Sequence, residues 1–93
     1  MGTGLAAAPG NAMALSRLAP GEGAVIERLA GRPETMLHLL ELGLFAGERV
    51  RVMRAAPGGD PLELEVMGYR LAIRRAEADA IVVRREGGDA GTR

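Results

Sequence analysis

Two side chains in the middle of the sequence have the types and the spacing to bind a metal ion. Glu34 and His38 lie four residues apart, and residues at that spacing share one face of a helix. A carboxylate oxygen and an imidazole nitrogen can both bind a divalent metal ion. Two ligands leave the coordination shell incomplete, and a Glu-His pair at this spacing also forms surface ion pairs. A metal site at Glu34 and His38 and a surface ion pair are therefore both open interpretations.

The other reactive side chains do not form a catalytic set. The candidate hydroxyl nucleophiles are Thr3, Ser16, Thr35 and Thr92, and the chain has one histidine to serve as their base. Nothing in their spacing pairs a hydroxyl with that histidine, as nucleophilic catalysis requires. The chain has no cysteine and no lysine, which excludes thiol chemistry and a Gly-Lys-Ser/Thr phosphate loop. We expect a binding protein and not an enzyme.

Length and composition predict one small globular domain without a nucleic-acid partner. A chain of 93 residues can bury one hydrophobic core, and 47% of these residues are hydrophobic. Twelve arginines balance twelve acidic residues, whereas nucleic-acid binding usually needs a basic excess. The uncharged N-terminal stretch is interrupted by Pro9 and Gly10 before it reaches the length of a signal peptide or a spanning helix. We expect a cytoplasmic protein that does not insert into a membrane.

Apolar and charged residues alternate along much of the chain, which is the pattern of half-buried strands. The clearest case is residues 62–66, where Glu63 and Glu65 separate the apolar side chains. The five predicted strands are residues 24–29, 49–54, 62–66, 70–74 and 80–83. The third and fourth should form a hairpin, because only a short turn around Gly68 separates them.

Residues 33–42 depart from this alternation and predict one short helix. Pro33 suits its first position and Gly43 its end, and four apolar residues recur at helical spacing, namely Met36, Leu37, Leu40 and Leu44. We expect this apolar face to point to the core, with Glu34 and Glu41 outside. Five short antiparallel strands with one inserted helix predict a mainly β fold, a small SH3-like barrel. We expect this domain at residues 15–85, with flexible tails at 1–14 and 86–93.

Four blocks of the sequence resemble one known family in the order in which they occur. They are LSRLAPG at 15–21, LELGLFAGERVRV at 40–52, APGGDP at 56–61 and LAIRRAEADAIVV at 71–83. The second block is the most specific of the four. Together they resemble the FeoA proteins of bacterial ferrous iron uptake, whose SH3-like domain also occurs at the C-terminus of iron-dependent repressors.

This resemblance implies a non-catalytic accessory or regulatory protein that binds the cytosolic surface of the FeoB membrane transporter. The implied contact residues lie at the helix end and in a loop: Leu42, Leu44, Pro57, Gly58, Asp60 and Pro61. Each position also has a purely structural interpretation, as a helix stop or as a hairpin closure. The repressor likeness implies an alternative function, an autonomous module that responds to a divalent transition metal. Open strand edges would also permit a weak homo-oligomer.

Overall fold

The computed structural model describes residues 12–85, and the elements below lie within this range. They are β1 (Ala12–Ala14), β2 (Gly23–Leu29), α1 (Pro33–Glu41), β3 (Arg49–Ala55), β4 (Leu62–Val66), β5 (Tyr69–Ile73), α2 (Arg75–Ala78) and β6 (Ile81–Arg85). Two 3₁₀ turns, Leu15–Arg17 and Pro57–Gly59, complete the set. The flexible tails were predicted at 1–14 and 86–93; residues 1–11 and 86–93 lie outside the described residues and stay predictions, whereas Ala12–Ala14 forms strand β1 and is not part of a tail. No helix within the described range has the length and apolarity needed to cross a membrane.

The six strands form one antiparallel sheet in the order β1-β6-β2-β3-β4-β5. The predicted hairpin is confirmed, because Val66 of β4 faces Tyr69 of β5 across the two-residue turn Met67-Gly68. The small, mainly β, SH3-like fold class is confirmed as well. The sheet has six strands and not five, because Ala12–Ala14 pairs with β6. Its end strands β1 and β5 are not paired with each other, so the described sheet is open and not a closed barrel.

The hydrophobic core follows the alternation that the sequence shows. Along β4 the three apolar residues are buried and the two glutamates between them are partly exposed. The largest fully buried side chains are Leu15, Ile26, Leu39, Leu44, Val50, Val52, Leu62, Leu64, Val66, Ile81 and Val83. The strand register shifts between Ile26 and Arg28 and again between Val52 and Arg54, and such bulges bend a sheet. The bent sheet wraps these side chains into one core cluster.

Helix α1 differs from the prediction in the direction of its apolar face. Leu39 is its one fully buried residue, whereas Leu37 is 58% exposed and Leu40 is 41% exposed. The expectation that Leu37 and Leu40 point to the core was therefore wrong. Periodicity identifies an apolar face of a helix, but it does not say what covers that face. Here the core accepts Leu39 and, just after the helix, Leu44, and it leaves Leu37 and Leu40 exposed.

Candidate functional site

The exposed large hydrophobic side chains of residues 12–85 lie on helix α1, just after it, and on the β4–β5 hairpin. They are Leu37, Leu40, Phe45, Met67 and Tyr69. Leu37 and Leu40 are three residues apart and share one helix face. The Gly43 amide donates to the Leu40 carbonyl over 2.9 Å, so the last turn of the helix extends to Gly43.

The tip of the hairpin reaches the helix at Gly43. The Tyr69 hydroxyl donates to the Leu42 carbonyl over 2.5 Å. A Cβ atom on Gly43 would lie 2.5 Å from the Tyr69 oxygen and 3.1 Å from Cε of Met67. Gly43 also has a φ of +93°, the left-handed conformation in which helices commonly end. One glycine thus ends α1 and admits the hairpin, which places Met67 and Tyr69 beside the helix end. We call the five exposed side chains together the apolar surface.

Met67 is an unusual residue for its place in the hairpin. Its φ is +52°, a conformation that tight two-residue turns require and that Asn, Asp or Gly adopt at lower cost. Its side chain is nevertheless large, apolar and 52% exposed. Strained backbone with an exposed apolar side chain is more common at binding sites than elsewhere. This observation favours a contact role for the apolar surface.

The two leucines that the family resemblance implies as partner contacts lie differently in the structure. Leu44 is fully buried, so its side chain is not accessible to a partner. Leu42 is partly buried and packs against the core. The exposed neighbours, Leu40 and Phe45, occupy the surface at this helix end. The sequence spacing could not single them out, because the direction of burial was unknown. Partner binding at the helix end stays a prediction.

The predicted contact loop is held in place by Arg75. Pro57, Gly58, Asp60 and Pro61 are exposed in this loop. The Arg75 amide donates to Oδ1 of Asp60 over 2.9 Å, and its Nε donates to the Gly59 carbonyl over 2.8 Å. Its Nη1 reaches the Ser16 carbonyl over 2.6 Å. Sequence reasoning missed this anchor, because backbone carbonyl partners leave no trace in residue types.

The structure pairs each candidate metal ligand with a different residue. Oε2 of Glu34 lies 3.4 Å from Nε of Arg32, and Nε2 of His38 lies 3.3 Å from Oε2 of Glu77. Within residues 12–85, no three His, Asp or Glu side chains form a group that could hold a metal ion. Any metal bound at Glu34 and His38 would need ligands from elsewhere, and that site stays a prediction.

A cleft of about 460 Å³ separates helix α1 from the contact loop. His38 lines it on the helix side, and Asp60 and Pro61 line it on the loop side. The 3.3 Å contact between Nε2 of His38 and Oε2 of Glu77 links α1 to α2 at this cleft. Of the predicted contact residues, Asp60 and Pro61 line this cleft, whereas Leu42 and Leu44 do not.

Comparison with known proteins assigns the family. The model of the FeoA domain matches residues 13–85, which is most of the chain. This chain belongs to the FeoA family. The resemblance drawn from the four sequence blocks is thereby confirmed, and the matched range includes Met13 and Ala14 of β1, a strand that the sequence did not predict.

Individual relatives of this FeoA chain agree with that assignment. The Fe(2+) transport protein A/Fe(2+) transporter FeoB fusion protein of Porphyromonas gingivalis is 38% identical over 71 residues, and the match spans 76% of this chain but 8% of the fusion protein. The FeoA protein of Chlorobium tepidum superposes with a TM-score of 0.76 at 40% identity, covering 86% of this chain and 76% of that chain.

Two further solved structures are similar to this FeoA chain. Stenotrophomonas maltophilia FeoA, solved in complex with zinc and described as an SH3 domain protein, gives a TM-score of 0.68 at 37% identity, covering 76% of this chain and 88% of that chain. A manganese-dependent transcriptional repressor gives a TM-score of 0.73 at 17% identity, covering 80% of this chain and 41% of the repressor. At that identity the repressor shares the fold alone.

Proposed function

We propose that this FeoA chain is a non-catalytic, cytoplasmic accessory of bacterial ferrous iron uptake that acts by binding the cytosolic surface of FeoB. The observation that carries the proposal is the P. gingivalis relative, whose name joins Fe(2+) transport protein A to the transporter FeoB in one polypeptide. Covalent linkage holds two domains at a high effective concentration, which favours pairs that contact each other. A separate FeoA chain would make the same contact as a free partner.

The apolar surface is the region that we assign to this contact. Large exposed apolar patches mark interaction sites, and aromatic and Met side chains are enriched at interfaces. Leu37 and Leu40 are exposed on helix α1, and Met67 and Tyr69 of the hairpin are exposed beside the end of that helix. The exposed loop residues Pro57, Gly58, Asp60 and Pro61 and the partly buried Leu42 would then contribute at the margin of the interface.

Binding to purified FeoB in lipid nanodiscs tests the proposal. The double variant Leu37→Ser, Leu40→Ser should bind at least about tenfold more weakly than the wild type, because two apolar anchors are lost. Both side chains are exposed, so its unfolding transition should change little. The control Arg28→Ser alters an exposed residue on β2 and should bind as the wild type does. Wild-type protein that fails to bind FeoB would contradict the function, whereas equal binding by the double variant would contradict only the choice of surface.

The zinc complex of the S. maltophilia relative favours a second candidate, an autonomous module that responds to a divalent metal. In this chain the ligands would include Glu34 and His38, with His38 exchanging its contact with Glu77 for the metal. Anaerobic calorimetric titration with ferrous iron separates this candidate from the first. Stoichiometric binding that Glu34→Ala, His38→Ala abolishes would support the metal module. No binding heat in the wild type would reject it.

A further inference from the structure

Strand β5 ends the described sheet, with β4 on one side and no strand on the other. Val66 and Tyr69 close a two-residue turn, so they form a hydrogen-bonded pair, and hydrogen-bonded pairs recur at every second residue. The N–H and C=O groups of Arg70 and Ala72 therefore point away from β4. No loop or turn within residues 12–85 supplies a backbone partner for these two residues. The outer edge of β5 thus offers four free backbone groups.

The side chains along this edge carry unpaired positive charge. Arg70, Ala72 and Arg74 alternate with the inward-facing residues and are all exposed. Within the described residues, neither the Arg70 nor the Arg74 guanidinium has an ion pair or hydrogen bond. Ala72 between them is small, so the space above the edge is open. Two free guanidinium groups, four residues apart, therefore lie on the same face of an unpaired strand.

The facing residues of the neighbouring strands leave this positive charge in place, since two arginines there are balanced by two glutamates. Across the sheet, Arg51 of β3 faces Glu65 of β4, and Glu65 faces Arg70 of β5. In the next row, Arg54 of β3 faces Glu63 of β4, and Glu63 faces Ala72 of β5. With Arg74 included, this outer face has four arginines and two glutamates, although the whole chain is neutral. Carboxylates brought to the edge of β5 would therefore meet a favourable field. At its far end the strand opens into the cleft of about 460 Å³, which Ala72, Ile73 and Arg74 line together with Asp60 and Glu77 and which leaves room for an added chain.

We propose that the edge of β5 binds an extended segment of a protein partner by strand addition. The segment would pair with the free backbone groups of Arg70 and Ala72 and would place carboxylates, four residues apart, against Arg70 and Arg74. Backbone hydrogen bonds give such complexes their affinity, and side chains at alternate positions give their specificity. The inference goes beyond the apolar surface and does not depend on FeoB as the source of the segment.

Charge disfavours a second copy of the chain and a nucleic acid as occupants of this edge. If two copies of the chain paired antiparallel about Ala72, Arg70 of one copy would lie opposite Arg74 of the second copy, and like charges directly opposite are destabilising. A nucleic acid would bring phosphates against Glu63 and Glu65 in the middle of the same face. Tyr69 is the one aromatic side chain on β5, so base stacking would be limited. An acidic peptide strand satisfies both the backbone groups and the arginines.

Fluorescence anisotropy with a labelled peptide tests the proposal. The probe Thr-Val-Glu-Val-Thr-Val-Glu-Val carries carboxylates four residues apart, and the control peptide has Gln in place of both Glu. We expect the control peptide to bind about fivefold more weakly, because two exposed ion pairs are lost. The variant Arg70→Ser, Arg74→Ser should bind both peptides alike, since the charge selectivity lies in those two side chains.

A second variant tests the backbone contacts. Proline is tolerated on an edge strand where its N–H would face solvent, so Ala72→Pro should fold while losing an outward donor. We expect at least about fivefold weaker peptide binding for Ala72→Pro, and binding within about twofold of wild type for the control Ala72→Ser. Circular dichroism checks the fold of each variant. If Ala72→Pro is unfolded, the arginine variant and the paired peptides still decide the outcome.

Several results would overturn strand addition at β5. The first is that the acidic peptide does not bind the wild type. The second is that folded Ala72→Pro binds the acidic peptide as tightly as the wild type does. A single-stranded oligonucleotide that displaces the peptide with higher affinity would assign the face to nucleic acid. A dimer in the wild type that Ala72→Pro abolishes would assign the edge to a second copy. None of these variants alters the apolar surface, so their failure leaves the FeoB proposal intact.

Discussion

Replacing Gly43 by alanine would disturb both the end of helix α1 and the approach of the hairpin. The φ of +93° places the new residue in the left-handed region, which costs an L-residue about 1 to 2 kcal/mol. Its Cβ would lie 2.5 Å from the Tyr69 oxygen, so the hydroxyl must move away from the Leu42 carbonyl. Losing that hydrogen bond costs about 1 kcal/mol. We expect the free energy of unfolding to fall by about 2 to 3 kcal/mol.

Two control variants separate these contributions. Gly47 has a φ of +94° and no atom within 4 Å of its hypothetical Cβ, so Gly47→Ala should show the backbone cost alone. Tyr69→Phe removes the hydroxyl and its hydrogen bond without changing the backbone. In the Tyr69→Phe background, Gly43→Ala should cost as little as Gly47→Ala does, because the remaining close atom is the flexible end of Met67.

Urea unfolding followed by far-ultraviolet circular dichroism measures all of these differences, since the chain has no tryptophan for fluorescence. Gly43→Ala should be about 1 kcal/mol less stable than Gly47→Ala, and that gap should close in the Tyr69→Phe background. Equal losses for Gly43→Ala and Gly47→Ala in the wild-type background would refute the reasoning. So would strict additivity of Gly43→Ala and Tyr69→Phe, because the two changes then would not share a contact.

Two further stability predictions use neighbouring residues as controls in the same urea assay. Arg75→Ala should lower the free energy of unfolding by about 2 to 3 kcal/mol, since two partly buried carbonyls lose a charged donor, whereas the exposed Arg74→Ala should change it by less than about 0.5 kcal/mol. Similar values for both variants would mean that the loop does not need its anchor. Leu39→Ala should cost about 2 to 5 kcal/mol, whereas Leu40→Ala should cost less than about 1 kcal/mol, and the reverse order would contradict the outward direction of the apolar helix face.

The sequence determined the features of this protein that depend on neighbouring residues in the chain. Alternation along residues 62–66 predicted β4, and the short turn after it predicted the hairpin with β5. Pro33 and Gly43 correctly bracketed helix α1, because the conformations of helix ends restrict residue type locally. The signature at residues 40–52 was enough to indicate the family, and the match over 13–85 confirmed it. No local sequence pattern of this kind supports the choice of the predicted partner residues.

Tertiary structure alone decided the features that depend on distant partners. Strand β1 has three residues without an alternating pattern, and it exists as a strand because β6 supplies its hydrogen bonds. Arg75 anchors the contact loop through carbonyl groups that any sequence would provide. The outward direction of Leu37 and Leu40 depends on which helix face the sheet can accept, and Leu39 and Leu44 fill that place. Local patterns set which residues share a face, but burial is a property of the whole packed chain, so only the fold showed which face remains open to a partner.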